Sequence, residues 1–266
     1  MYLIRSLLVF LFLGSITAQT PVLLKDINLT PKEDWSSRPE PRTDQITRPA
    51  QEAGRFVVAG GRIFFRARNR LAGQEPFMAT ASPGSGTLVK DINPGFADSV
   101  PRHFTALGTR VLFEADDGTN GRQPWVTDGT AAGTVKLLND SGAGMNYPIV
   151  MGGNCYFFAH TSGSMNLFRS DGTAAGTRLV KQQVTGPSMP DAQAVLPGRI
   201  IFASFDPATG AEAWVTDGTA RGTMLLKDAW PGLLGGGCNT PTRLGNKVYY
   251  TSLISFPSAS VTLWET

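Results

Sequence analysis

This sequence predicts an all-β fold built from stacked four-stranded units, and three observations predict it. An aromatic residue returns at near-constant spacing, as Phe77, Trp125, Phe168, Trp214 and Trp264, with separations of 48, 43, 46 and 50 residues. A period of that size accommodates four short strands and their turns, the unit of a propeller blade. After three of these aromatics the same loop follows: WVTDGTAAGT at 125–134, RSDGTAAGT at 169–177 and WVTDGTARGT at 214–223. Finally, no stretch sustains a 3.6-residue apolar period, whereas short apolar runs bounded by turn residues recur throughout.

The elements of a unit can be justified in order. A first strand runs to a Gly-containing turn, and the second follows as GGRIFFRA, GTRVLFEA, GGNCYFFA, PGRIIFAS or GNKVYYTS. One column of this strand holds Ile63, Val111, Cys155, Ile200 and Val248, and the next holds Phe64, Leu112, Tyr156, Ile201 and Tyr249. Neighbouring residues of a strand face opposite ways, so apolar groups in adjacent columns mean that both sheet faces are covered. A third column is aromatic, with Phe65, Phe113, Phe157, Phe202 and Tyr250. Two residues on, Ala67, Ala115, Ala159, Ser204 and Ser252 are all small, as expected where strands crowd toward an axis. The third strand carries the repeating aromatic, and the DGT loop leads to a fourth strand, LVKDI at 88–92, RLVKQ at 178–182 and MLLKD at 224–228.

The ends of the chain complete one another in this reading. VLLKDI at 22–27 has the pattern of a fourth strand, while TRLGNKVYYTS and TLWET supply the first three strands of a last unit. Joined, they make a fifth blade and close a ring, which removes the open sheet edges that invite aggregation. The expected organisation is a signal peptide at 1–18 and a single five-bladed β-propeller-like domain at 19–266. That domain comprises a strand at 21–29, an excursion at 30–54 and units at about 55–100, 101–145, 146–190, 191–235 and 236–266.

Residues 1–18 read as a secretory signal, with Arg5, the apolar run Leu7 to Leu13 and small residues from Ser15 to Ala18. The run is too short for a membrane span. The mature protein is expected to be secreted, extracellular or periplasmic, and to be a monomer. Its net charge is +3, with basic residues scattered rather than massed, so no nucleic-acid footprint is visible. Cys155 stands in an apolar column and reads as a small buried hydrophobe, and Cys238 lies too many units away for a disulfide with it.

The segments QPWVTDGTAAGT, LFRSDGTAAGT and EAWVTDGTARGT, each running into a Leu/Val-Lys strand, resemble the ELWxxDGT repeat of secreted bacterial proteins. The resemblance covers nearly all of the mature chain outside about residues 30–54. It implies a propeller-like array and no particular activity. The first unit departs from it, with Ala81, Ser82 and Pro83 in place of the DGT loop, and no such loop follows Thr266.

The loop has a physical account that needs no ligand. Asp128, Asp171 and Asp217 can accept backbone N–H groups two residues on, while Gly129, Gly172 and Gly218 permit positive φ. The hydroxyls of Thr130, Thr173 and Thr219 satisfy further loop groups. Calcium is the competing reading, but that ion wants about six to eight oxygens and each loop offers one carboxylate. No cofactor is otherwise indicated. Lys25, Lys90, Lys181 and Lys227, after the fourth strands, are expected to protect free sheet edges.

Function is expected at the opposite end of the blades. The first turns and the DGT loops emerge together and are nearly uniform, whereas the links between units and the loops between second and third strands differ in every copy. Divergent loops on a rigid frame are where binding residues lie. That end carries Arg102, His103, Asp116, Asp117, Arg122, His160, Asp206 and Trp230. The Pro-rich, charge-balanced excursion at 30–54 reads as a solvated loop, or as a lid bringing Trp35 over this face.

Catalytic patterns are sparse. No GxSxG elbow occurs, and His103 and His160 are the two histidines, in different units. Asp116, Asp117, Asp206 and Glu212 could supply a carboxylate pair, although adjacent Asp116 and Asp117 read as a turn. The reading is a binding or interaction module for an extracellular protein or glycan. A polysaccharide-active enzyme of propeller fold and a purely structural surface repeat are the other two classes.

Overall fold

The computed structural model describes residues 56–186, 193–229, 231–232, 235–254 and 260–266. The signal segment, the strand at 21–29 and the excursion at 30–54 lie outside these residues. Five antiparallel sheets follow one another along the chain. The first holds β1 (Val57–Ala59), β2 (Arg62–Asn69), β3 (Gly73–Ala79) and β4 (Thr87–Leu88). The second holds β5 (Arg102–Leu107), β6 (Arg110–Asp116), β7 (Arg122–Thr127) and β8 (Val135–Lys136). In the third are β9 (Asn146–Met151), β10 (Asn154–Thr161), β11 (Ser164–Ser170) and β12 (Arg178–Lys181). The fourth contains β13 (Gln193–Leu196), β14 (Arg199–Asp206), β15 (Gly210–Thr216) and β16 (Met224–Lys227). The fifth has three strands among the described residues, β17 (Asn239–Leu244), β18 (Lys247–Ile254) and β19 (Ser260–Glu265). No helix among the described residues is long and apolar enough to cross a membrane.

Strand pairing aligns the sequence columns in space. Phe77 stands opposite Phe65, Trp125 opposite Phe113, Phe168 opposite Phe157, Trp214 opposite Phe202 and Trp264 opposite Tyr250. The same register recurs because the turn between second and third strands varies while the alternation of faces does not.

The core is four slabs rather than one centre, each at a junction between consecutive sheets. Ala59, Phe64 and Val89 of the first sheet meet Val111, Phe113 and Trp125 of the second. Leu107, Leu112 and Val126 then meet Cys155, Phe157 and Phe168. At the next junction Tyr156, Leu167 and Val180 meet Ile200, Phe202 and Trp214. Leu196, Ile201 and Ala213 meet Cys238, Val248 and Tyr250 at the last. Each sheet therefore turns its second column onto the following sheet and its first and third columns onto the preceding one. Burial of each such side chain contributes about 1.5–3 kcal/mol.

The register gives the small column a further reason, since Ala67, Ala115, Ala159 and Ser204 stand opposite Glu75, Gln123, Asn166 and Glu212. Cross-strand partners share a face, so a small residue leaves room for a large polar one. Two of the lysines expected to protect free edges are instead engaged with a neighbouring sheet. Lys90 Nζ donates to the Thr134 carbonyl at 2.9 Å and Lys181 Nζ to the Thr223 carbonyl at 2.9 Å, each reaching the DGT loop of the next sheet. Lys25 lies outside the described residues.

Candidate functional site

The uniform end of the blades is closed upon itself. In the second sheet Asp128 Oδ1 accepts the Thr130 N–H at 2.8 Å and the Thr130 hydroxyl at 2.7 Å. The Thr134 hydroxyl donates to the Thr130 carbonyl at 2.6 Å and lies 2.8 Å from Thr127 Oγ1, which accepts the Gly129 N–H at 2.9 Å. The loops of Asp171 and Asp217 repeat this pattern with Thr173 and Thr219. Hydroxyl and amide donors from the following Thr hold all three carboxyls below the usual range. Gly129, Gly172 and Gly218 have φ of 92, 86 and 89°. A Cβ on Gly129 would overlap the Arg62 guanidinium and one on Gly218 the Tyr156 hydroxyl, while Arg110 Nη1 donates to the Gly172 carbonyl at 2.8 Å. Each loop thus seats on the second strand of the preceding sheet. A cavity of about 200 Å³, lined by Arg110, Val126, Asp128, Val135 and Thr173, opens between the second and third sheets at this end. The sequence reading did not place a cavity there, since it arises from the approach of two loops distant in the chain.

A second feature was not read from the sequence as a column, although Glu212 was named there as a candidate carboxylate. Glu75, Gln123, Asn166 and Glu212, two residues before the repeating aromatics, are all buried. Glu75 Oε2 accepts the Ile92 N–H at 3.0 Å and the Ser99 hydroxyl at 2.5 Å, and its Oε1 accepts the Ser99 N–H at 3.1 Å. Glu212 accepts the Ala229 and Gly236 N–H groups, Asn166 Oδ1 accepts that of Gln183, and Gln123 Nε2 donates to the Asp140 carbonyl. The column clamps the links between units, supplying partners for backbone groups that no ladder reaches. Burial pushes Glu75 up to about 7 against the opposing pull of Ser99, Ile92 and Asn93. The recurrent position before the aromatic was the available signal.

At the divergent end the structure gathers part of the expected set. Arg102 and His103 open β5, Arg122 opens β7, and the register sets Arg102 opposite Glu114 and Asp116 opposite Arg122. Buried Glu114 accepts Arg122 Nη1 at 3.0 Å and the Met145 N–H at 2.9 Å, with His103 Nδ1 3.8 Å away. Glu114 was not singled out from sequence. Its signal is an acid where the third and fourth sheets carry Phe158 and Ala203. Arg102 Nε and His103 Nδ1 are buried atoms without a hydrogen-bond partner among the described residues.

The backbone here is strained. Val100 and His103 have φ of 45 and 56°, and the equivalents of His103 in the third and fifth sheets, Tyr147 and Thr240, have 51 and 46°. His103, Tyr147 and Thr240 each sit at a bulge of the first strand against the second. Left-handed non-glycine residues cost about 1–3 kcal/mol each and cluster at binding sites.

The remaining expected residues are placed apart or engaged in turns. Asp116 Oδ1 accepts the Gly118 N–H at 2.8 Å, and Asp206 Oδ1 accepts that of Ala208 at 2.7 Å. Asp117 accepts the Thr119 and Asn120 N–H groups and pairs with Lys136 at 2.5 Å. Although burial raises its pKa, Lys136 and those donors hold the carboxyl well below the usual range. His160 is exposed on the third sheet, with its N–H on the Ala143 carbonyl. Trp35 and Trp230 lie outside the described residues. No group of three or more His, Cys, Asp or Glu side chains that could hold a metal occurs among the described residues. Cys155 and Cys238 are buried free thiols, and burial pushes both up to about 12.

No protein-family model matches the chain, and no curated protein matches it. Among solved structures it is similar to puromycin hydrolase, with a TM-score of 0.50 and 15% identity over 79% of this chain and 35% of that one. The β-propeller domain of the trilobed protease from Pyrococcus furiosus matches with a TM-score of 0.43, 16% identity and coverage of 68% and 52%. TolB from Acinetobacter baumannii matches at 0.41, with 14% identity over 76% of this chain and 50% of that one. At these identities the likeness is one of fold. The chain spans about a third of the length of puromycin hydrolase, 35% of that protein. Consecutive antiparallel sheets with slab cores, together with the fold likeness to puromycin hydrolase, define the class as a β-propeller-type repeat domain.

Proposed function

We propose that the chain is a secreted β-propeller scaffold that binds an extracellular protein or glycan through the divergent end of its blades. One contrast carries this reading. The polar groups of the DGT loops satisfy one another and the preceding sheet, whereas Arg102 Nε and His103 Nδ1 at the divergent end are buried with no hydrogen-bond partner among the described residues. A buried donor such as Arg102 Nε, without an acceptor and beside a strained segment, is suited to a ligand that supplies one. Asp116, Asp117, Asp206 and Glu212 are engaged with backbone N–H groups, which favours binding over carboxylate-pair chemistry. The repeat itself is proposed to be of the ELWxxDGT kind. In its support, the position of the motif's Glu clamps the links, that of its Trp fills the slabs and its DGT loop seats on the neighbouring sheet.

A glycan array probed with the full mature chain, followed by titration of any ligand found, tests the proposal. Arg102→Ala and Arg122→Ala are expected to weaken binding at least tenfold, with Arg221→Ala, on an exposed DGT loop, leaving it unchanged. A ligand whose affinity follows Arg221 and ignores Arg102 overturns the assignment of the face.

A further inference from the structure

One sheet departs from its copies at the divergent end. Arg102, His103 and Arg122 of the second sheet stand where the third carries Asn146, Tyr147 and Met165 and the fifth carries Asn239, Thr240 and Val261. The first and fourth sheets hold Gln74 and Ala211 in the place of Arg122. Glu114, the buried acid between these basic groups, has Phe158, Ala203 and Thr251 as its equivalents in the later sheets. The other sheets form the same antiparallel unit without this cluster, so the scaffold does not require it.

The acids around the cluster are already engaged. Glu114 accepts Arg122 Nη1 and the Met145 N–H, Asp98 pairs with Arg68, Asp116 accepts the Gly118 N–H, and Asp117 pairs with Lys136. No ion pair joins Arg102 to any of them among the described residues, and its Nε is buried with no acceptor there. The Arg122 and His103 side chains are 33% and 34% exposed, so the cluster opens to solvent beside this donor. Two guanidinium groups thus share one carboxylate, and the charge of Arg102 is the unmatched one.

Resting on the binding role proposed above, we infer that the ligand is an acidic polysaccharide whose uronate carboxylate seats against Arg102, beside Arg122 and His103. A guanidinium is a planar fork of donors that matches a carboxylate, and hydrogen bonds between charged partners are about twice as strong as neutral ones. A neutral sugar hydroxyl would supply an acceptor and leave the charge unmatched. An acidic peptide fits less well, because an extended peptide docks by main-chain pairing. The adjoining N–H groups of Gly118, Thr119 and Asn120 are already taken by Asp116 and Asp117.

Calorimetric titration of the full mature chain with polygalacturonate, polyglucuronate and the methyl ester of each tests this. At least one polyuronate is expected to bind, and its methyl ester to bind about tenfold more weakly, the scale of one lost charge-assisted hydrogen bond. Arg102→Ala is expected to weaken binding of the acid form to the level of the ester and to leave the ester unchanged. The substitution leaves the hydrogen bonds of Glu114 intact, so the fold should survive, as its melting temperature checks; Arg102→Gln replaces it if the fold does not. Acid and ester bound equally, both through Arg102, would overturn the carboxylate and keep the face proposed above. Polyuronate binding that ignores both Arg102 and Arg122 would overturn the inference and the face together. Failure to bind either polyuronate overturns the inference alone, and polyaspartate competing more strongly than either would make the ligand an acidic peptide instead.

Discussion

Glu75 shows how a single buried acid can report on the joint between two blades. Its folded pKa is raised from 4.5 to about 7, chiefly by burial. Between those values the folded state holds a proton that the unfolded chain has lost, so stability falls as pH rises through the window and levels off above it. The loss is ~3 kcal/mol at most, from the size of the shift. Glu75→Gln is expected to flatten that slope, and urea unfolding of both proteins at the two ends of the window measures it. An unchanged slope in the variant would assign the pH dependence to other groups. Glu75 was legible in the sequence only as a residue of the third strand. Its partner Ser99 lies on the link to the next sheet, and that contact depends on how the link folds back.

The DGT loop is the element that sequence described best. Its Asp–Thr cap was expected and is present, because a turn satisfied by a residue two positions away is a local property. Its second glycine has a reason that sequence did not reveal. A Cβ on Gly133, Gly176 or Gly222 would overlap the carboxylate of Asp128, Asp171 or Asp217. Gly133→Ala is therefore expected to cost about 1–3 kcal/mol, the scale of overpacking. In the double variant with Asp128→Ala the overlap is gone, so the pair should cost less than the sum of its parts. Thermal melts of the singles and the double, repeated with calcium and with a chelator, decide the point. Full additivity, or a cost that appears only with calcium, would refute the steric account. The seating of these loops on Arg62, Arg110 and Tyr156 was beyond sequence, since it joins residues about one blade apart.

As a whole, the molecule holds together through nearest-neighbour slabs, so stability should follow the number of covered junctions. Phe113 is fully buried between the first and second sheets, and Phe113→Ala is expected to cost about 3–5 kcal/mol. Phe65 occupies the same column on an uncovered face, and Phe65→Ala should cost clearly less in denaturant unfolding at low concentration. Equal costs would mean that something covers the first sheet already. The strand expected at 21–29 to close the ring lies outside the described residues.

The sequence by itself determined the strands, their order within a unit and the cap of each loop, because alternation and turn chemistry depend on residues close along the chain. It also pointed to Arg102, His103 and Arg122, which stand at the starts of β5 and β7. Tertiary structure alone decided that Lys90 holds Thr134 of the next sheet and that Glu114 accepts Arg122 with His103 beside it. Those outcomes turn on which sheet comes to lie beside which, and identical columns are buried or exposed according to whether a neighbour stands against them.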